Sequence, residues 1–231
     1  LPRDSKHGPA VHVRGGEAGH EIGPPGAGGR DAHADALARA RVAVGGVGRA
    51  ASPAYFNGFT VGDMLKAHSP GSRVVGVSFK DRAAILPSGR RADGAYWYET
   101  SNGRFVTSSW YTEEAPRWLD EWNARKLPDG FAGGVWQRLL PDESLYLRYA
   151  VEDAVVGEWG GKDIVFPHKI RSAPPAFEFY DDLRRTPFAD ELLLDFALAA
   201  MKGHDLGTDD KTDVLTVSFS ATDVIGHTYG A

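Results

Sequence analysis

The apolar run Val214, Leu215, Val217 and Phe219 is the feature that most narrows the folds open to this chain. It follows a strongly amphipathic stretch, Phe188 to Met201, and a polar loop from Gly203 to Lys211, and it stops just before Asp223-x-x-x-His227. A nearly continuous run of this kind reads as a strand covered on both faces, and helix, loop, buried strand is the order of an α/β fold. Open α/β folds keep their ligands at the carboxyl ends of their strands. The carboxylate of Asp223 and the imidazole of His227 therefore fall where chemistry is expected, and both groups suit zinc. Gly226 and Gly230 are expected to let the backbone turn around a bound ion. By spacing alone, an acid and a histidine at i, i+4 are more often a solvated contact than a metal site.

Composition excludes several classes. The 231 residues carry 42% hydrophobic and 25% charged side chains, enough for one large domain or two small ones with a real core. A formal charge of −5 gives no basic footprint for nucleic acid, and no basic amphipathic stretch points to a membrane surface. No apolar run approaches transmembrane length, and the first residues lack a signal pattern. With no cysteine there is neither a disulfide framework nor a thiolate metal site, so any metal must use His, Asp, Glu or hydroxyl ligands. The opening Leu1-Pro2-Arg3 points to a processed or truncated piece.

The chain has two unlike parts. Residues 1–50 are dominated by Gly, Ala, Arg, His and Pro, with no Phe, Trp or Tyr before Tyr55, and are expected to be disordered or a misread N-terminal segment. His7, His12, His20 and His33 follow no ligand spacing, and Asp31 to Val44 is Ala-rich enough to sample helix. Residues 51–231 form the α/β domain. Thr60 to His68 reads as a helix feeding a strand, Arg73 to Phe79, across a Ser69-Pro-Gly turn. Ala95 to Tyr98 and Arg104 to Ser108, joined by Ser-Asn-Gly, read as a hairpin. Glu113 to Lys126 carries Trp118, Leu119 and Trp122 at helical spacing, as core or cap residues. Leu127 to Pro187 is rich in Gly, Pro and aromatics without clear period, as a long insertion or lid would be.

Four segments together carry a resemblance: Ser78-Phe-Lys80-Asp-Arg82-Ala-Ala-Ile-Leu-Pro87, Ala92-Asp-Gly-Ala-Tyr-Trp97, Phe166-Pro-His168 and Ser218-Phe-Ser-Ala-Thr-Asp223-Val-Ile-Gly-His227. In this order they resemble the alkaline phosphatase superfamily, and within it the bacterial phosphate-irrepressible alkaline phosphatases of the type I phosphodiesterase/nucleotide pyrophosphatase family. The likeness runs from about Ser52 to Ala231. It implies a partial alkaline-phosphatase-like α/β sheet with flanking helices and a long aromatic-rich insertion. It also implies two zinc ions in the complete enzyme, a covalent phosphothreonine intermediate, and export to the periplasm or secretion. By resemblance Asp223 and His227 are zinc ligands, and Lys80 and Arg82 hold the phosphoryl oxygens. If the extended pattern of the preceding strand persists, residues two apart face the same way, and an ammonium and a guanidinium converge on one anion. A dianionic monoester suits such a pair better than a diester does.

The family's nucleophilic threonine and its remaining metal ligands have no match here, so the chain looks like an internal fragment with no catalytic nucleophile of its own and is expected to be a poor phosphatase or none. Thr107, Ser108 and Ser109 sit in a strand pattern with no partner base, and His168 is expected to be a hydrogen-bonded structural histidine rather than a metal ligand. The function expected of the complete protein is metal-dependent hydrolysis of phosphate monoesters. The alternatives are a nucleotide pyrophosphatase/phosphodiesterase, and a non-catalytic carbohydrate- or protein-binding module built on the aromatics between Trp97 and Trp159. The expected partner is a small-molecule phosphate ester, with no nucleic acid and no membrane.

Overall fold

A computed structural model describes residues 43–46, 48, 51–150, 153–154, 158–171, 174 and 177–230. Among them a five-stranded mixed sheet has the order β1-β4-β3-β2-β7, from β1 (Ala43–Val44), β2 (Val74–Ser78), β3 (Gly94–Glu99), β4 (Arg104–Ser108) and β7 (Val214–Ser218). Strand β2 pairs in parallel with both β3 and β7, whereas β4 runs antiparallel to β3 and to β1. The register sets Ser78 opposite both Trp97 and Ser218, so three parallel strands end at one level. A separate ribbon pairs β5 (Val135–Trp136) with β6 (His168–Lys169). The helices are α1 (Val61–His68), α2 (Asp81–Ser88), α3 (Arg117–Ala124), α4 (Phe177–Arg184), α5 (Phe188–Gly203) and α6 (Ala221–Tyr229).

The strands' period of two sorts their side chains between two layers. Val75 and Val77 of β2, Tyr96 and Tyr98 of β3 and Phe105 of β4 join the larger core with Leu119 and Trp122 of α3 and Leu193 and Phe196 of α5. There the Phe105 and Phe196 rings stack at 3.7 Å, with Trp122 edge-on to both. The alternate residues Ala95, Trp97 and Val106 face Ala84 and Ile85 of α2. Helix α2 can lie this close because β2 carries glycine at its centre. A Cβ at Gly76 would collide with the Ala84 carbonyl oxygen and the Ser88 hydroxyl, and would stand 3.0 Å from Thr216 Oγ1.

Local sequence fixes the ends of these elements. At α1 the Asp63 N–H donates to Thr60 Oγ1 and the Thr60 N–H donates to Asp63 Oδ2, each at 3.0 Å, a reciprocal cap that satisfies two backbone donors. The hairpin turn needs Gly103, whose φ of +69° is left-handed and whose missing side chain leaves room for the Tyr180 ring. Burial tunes the back of the sheet as well: His204, at the end of α5, shares a 2.7 Å hydrogen bond with the Tyr96 hydroxyl, and desolvation lowers its pKa.

The α/β expectation holds, while several local readings change. Asp223 and His227 do not sit in a turn after the strand: both lie on α6, with Gly226 inside the helix and Gly230 closing it at φ +80°. Strand β7 is half-buried throughout, because in the described sheet it pairs with β2 alone, and Phe219 is exposed. The strand pattern does not persist through Lys80 and Arg82; Lys80 caps α2 and Arg82 lies in its first turn. The stretch Leu127 to Pro187 is less featureless than its composition implies, since it supplies the β5–β6 ribbon and α4. Ala43 and Val44, within the segment set apart on composition, pair with Ser108 and Thr107. His7, His12, His20 and His33 and most of the Asp31–Val44 stretch lie outside the described residues.

Gly76→Ala should destabilise the fold by about 1–3 kcal/mol, because the backbone of α2 cannot yield as a flexible side chain would. Urea unfolding followed by circular dichroism measures this, and an unchanged midpoint would mean that α2 is not held against β2 in this way.

Candidate functional site

The carboxyl ends of β2, β3 and β7 open into a cleft of about 930 Å³, lined among others by Lys80, Arg82, Trp97, Phe177, Arg184 and His227. Strand β2 leads through Phe79 and Lys80 into α2, and β7 leads through Phe219 and Ser220 into α6, so two helix N-termini meet at the seam of two parallel strands. Buried hydroxyls fasten that seam. Ser78 Oγ donates to the Ser218 carbonyl at 3.1 Å and lies 3.2 Å from Ser220 Oγ, while the Lys80 N–H donates to Ser78 Oγ at 3.1 Å. On the other side the Ala221 N–H donates to Asp190 Oδ1 of α5 at 3.2 Å; burial nonetheless leaves the Asp190 pKa raised.

This framework brings three of the four expected site residues into contact or near-contact. The Lys80 ammonium donates to Asp223 Oδ2, across 143 residues of sequence. The other carboxylate oxygen, Asp223 Oδ1, lies 3.5 Å from His227 Nε2 one helical turn along α6. Hydrogen bonding to Lys80, and then the charges of Lys80 and His227, hold the Asp223 carboxyl below its ordinary pKa, as an acid in a helix's first turn also prefers. Arg82 is exposed on the cleft wall, and no described acid pairs with it.

Two ligands on one tetrahedral zinc, with bonds of about 2.0–2.2 Å, stand about 3.4 Å apart, close to the 3.5 Å between Asp223 Oδ1 and His227 Nε2. The spacing of the pair matches two coordination positions. Because Lys80 uses Oδ2 and His227 faces Oδ1, one carboxylate can serve an ammonium and a metal through different oxygens. Among the described residues no third His, Asp or Glu completes the group, and zinc usually takes at least three protein ligands.

Of the hydroxyls set aside as nucleophiles, Thr107 is fully buried and donates to the Ala95 carbonyl at 2.7 Å, Ser108 Oγ accepts from the Trp110 N–H at 3.1 Å, and Ser109 Oγ is buried with no partner among the described residues. His168 is buried against Trp136, Phe166 and Tyr229, with Nδ1 3.2 Å from Asp163 Oδ2. That separation lacks hydrogen-bond alignment, so among the described residues Nδ1 has no hydrogen-bond partner and the ring is held by its aromatic neighbours. Sequence reading missed Phe177, Arg184 and Arg185 on the cleft wall, and the Ser78–Ser220 contact at its base. The charge cluster Asp181-Asp-Leu-Arg184-Arg185 was the available signal, since acids and arginines at i, i+3 and i, i+4 mark an ordered helical pairing.

No protein-family model matches the chain. It is 40% identical over 165 residues to the alkaline phosphatase PafA of Elizabethkingia meningoseptica, a span covering 69% of this chain and 29% of that protein. It is 38% identical over 175 residues to the alkaline phosphatase PhoV of Synechococcus elongatus, covering 74% and 31%. The crystal structure of wild-type PafA superposes with a TM-score of 0.67 at 36% identity, over 81% of this chain and 37% of that one. The chain thus spans about three-tenths of the length of the curated relatives it matches.

In metal-free protein, carbon-detected NMR titration of the Asp223 carboxyl should give a midpoint below the ordinary aspartate value, the Lys80 pair persisting above it and opening as pH falls through it. Lys80→Ala should move that midpoint up; an unshifted midpoint in both proteins would show that the pair does not form in solution.

Proposed function

Because this chain is a homologue of part of the bacterial alkaline phosphatases, we propose that its cleft binds the phosphoryl group of phosphate monoesters. We also propose that the protein its gene encodes hydrolyses them in the periplasm or after secretion. The observation that carries the reading is the convergence of Lys80, Arg82 and the Asp223–His227 pair at one seam, where β2 and β7 end. A monoester dianion offers two charges to two cations. Arg82 presents a planar fork of donors that matches phosphate oxygens, and Lys80 a compact point charge that Asp223 keeps aimed along the seam. Phe79 and Trp97 beneath the cleft are buried and apolar, which lowers the local dielectric and strengthens both interactions.

Asp223 Oδ1 and His227 Nε2 are the atoms that would hold zinc, which would supply Lewis-acid stabilisation of charge on the phosphoryl oxygens and activation of the attacking oxygen. On this reading the gene-encoded protein follows the two-zinc, phosphothreonine route of the family. This chain's own residues bind and orient the transferred group and offset its equatorial charge. The isolated 231 residues should bind phosphate without turning esters over, since two ligands leave zinc too open to be held tightly.

Two measurements test the reading. In the gene-encoded protein, Lys80→Ala and Arg82→Ala should each lower kcat/KM for p-nitrophenyl phosphate by about 10²-fold or more, and should lower it less for bis-p-nitrophenyl phosphate. Changes under threefold, or an equal loss on the diester, would sink the assignment of a monoester clamp. The isolated chain should show no zinc-dependent release of p-nitrophenol, and turnover by it would overturn the division of labour described above.

A further inference from the structure

The cleft is far larger than one phosphoryl group needs, and Lys80 and Arg82 are not the only cations that line it. Arg184 closes α4 and Arg185 follows it, both lining the same cleft as Lys80 and Arg82. Asp181, one turn back and buried, organises the two. It accepts from Arg184 Nε at 3.1 Å and from Arg184 Nη2 at 2.6 Å through Oδ1, and pairs with Arg185 through Oδ2. One carboxylate therefore holds two guanidiniums, a surplus of one positive charge at a helix C-terminus, which itself favours cations. Arg185 is further fixed over the Trp159 ring at 5.2 Å. Their side chains are only 28% and 21% exposed, so both are oriented before any ligand arrives. Each guanidinium has five N–H donors, of which Arg184 gives two to Asp181, so donors are left over for a ligand.

We propose that Arg184 and Arg185 form a second anion subsite, and that the cleft takes phosphate esters whose alcohol part carries another phosphate or carboxylate. The ester phosphate lies on Lys80 and Arg82, and the second anion on the arginine pair. Ile85, Leu86, Val224 and the half-exposed ring of Phe177 line the same cleft and offer apolar contact to the carbon skeleton. The inference rests on the phosphate-clamp reading, and names the substrate class that clamp would serve.

Calorimetric titration of the full 231-residue chain in EDTA separates the two ideas, using inorganic phosphate, fructose 6-phosphate and fructose 1,6-bisphosphate. The bisphosphate should bind at least tenfold more tightly than the monophosphate. Arg184→Gln/Arg185→Gln should remove that advantage, bringing the two sugar phosphates to equal affinity. Lys80→Ala should weaken all three ligands. Equal affinity for the two sugar phosphates in the unsubstituted chain overturns the second subsite and leaves the clamp standing, and needs no variant to fold. Phosphate binding indifferent to Lys80→Ala overturns the clamp, and the subsite with it. A bisphosphate advantage that survives Arg184→Gln/Arg185→Gln, with the fold intact by circular dichroism, assigns the advantage to other residues and also overturns the subsite.

Discussion

The parallel pairing of β2 with β7 is the constraint on which the rest of the molecule depends. It joins segments 140 residues apart, so the closure entropy of a long loop must be offset by contacts made along the whole seam. The seam is fastened at both ends. At its start the Arg73 N–H donates to Asp213 Oδ1 at 2.7 Å, and the Val214 N–H donates to the Arg73 carbonyl at 2.8 Å. Five residue pairs follow in register, and the Ser78–Ser220 hydroxyls and the Lys80–Asp223 ion pair close the far end. Each functional side chain on this side of the cleft is placed by that register. A slip of one residue would turn Ser78 away from Ser218 and part Lys80 from Asp223.

Packing on the two faces explains why the register is fixed. On one face the aromatic cluster around Phe105 and Phe196 admits β3 and β4 in a single alternation, with Tyr96 and Tyr98 inward. On the other, the bare Cα of Gly76 receives α2, whose first turn carries Arg82 into the cleft. Helix α5 then links core to site: Phe196 lies in the aromatic cluster, and Asp190 at its other end accepts the first N–H of α6. Chemistry at the cleft is thus tied to hydrophobic burial by rigid elements rather than by loops.

Much of this was legible in the sequence. The α/β class followed from the amphipathic Phe188 stretch ahead of the Val214 run, and the hairpin from Ser-Asn-Gly between the aromatic run Ala95 to Tyr98 and the run Arg104 to Ser108. What misled was extrapolation past the last strand residue. Lys80-x-Arg82 and Asp223-x-x-x-His227 each begin within the first turn after a β-strand, where the chain switches from period 2 to period 3.6, and nothing in the local composition marks that switch. The half-burial of β7 was hidden because a residue's neighbours across a sheet are not written in its own segment. Arg184 and Arg185 were missed for a different reason. Their order comes from Asp181 and Trp159, contacts that become visible only once α4 forms within a stretch that lacks clear period.

On the proposed reading, one seam would present a phosphate clamp and two metal ligands to the same phosphoryl group. Crystals of the gene-encoded protein grown with zinc and phosphate, with anomalous diffraction collected at the zinc edge, test it most directly. A zinc peak within bonding distance of Asp223 Oδ1 and His227 Nε2, with phosphate hydrogen-bonded to Lys80 and Arg82, is the expected result. Zinc bound elsewhere with Asp223 and His227 unligated, or phosphate seated away from both cations, would contradict it.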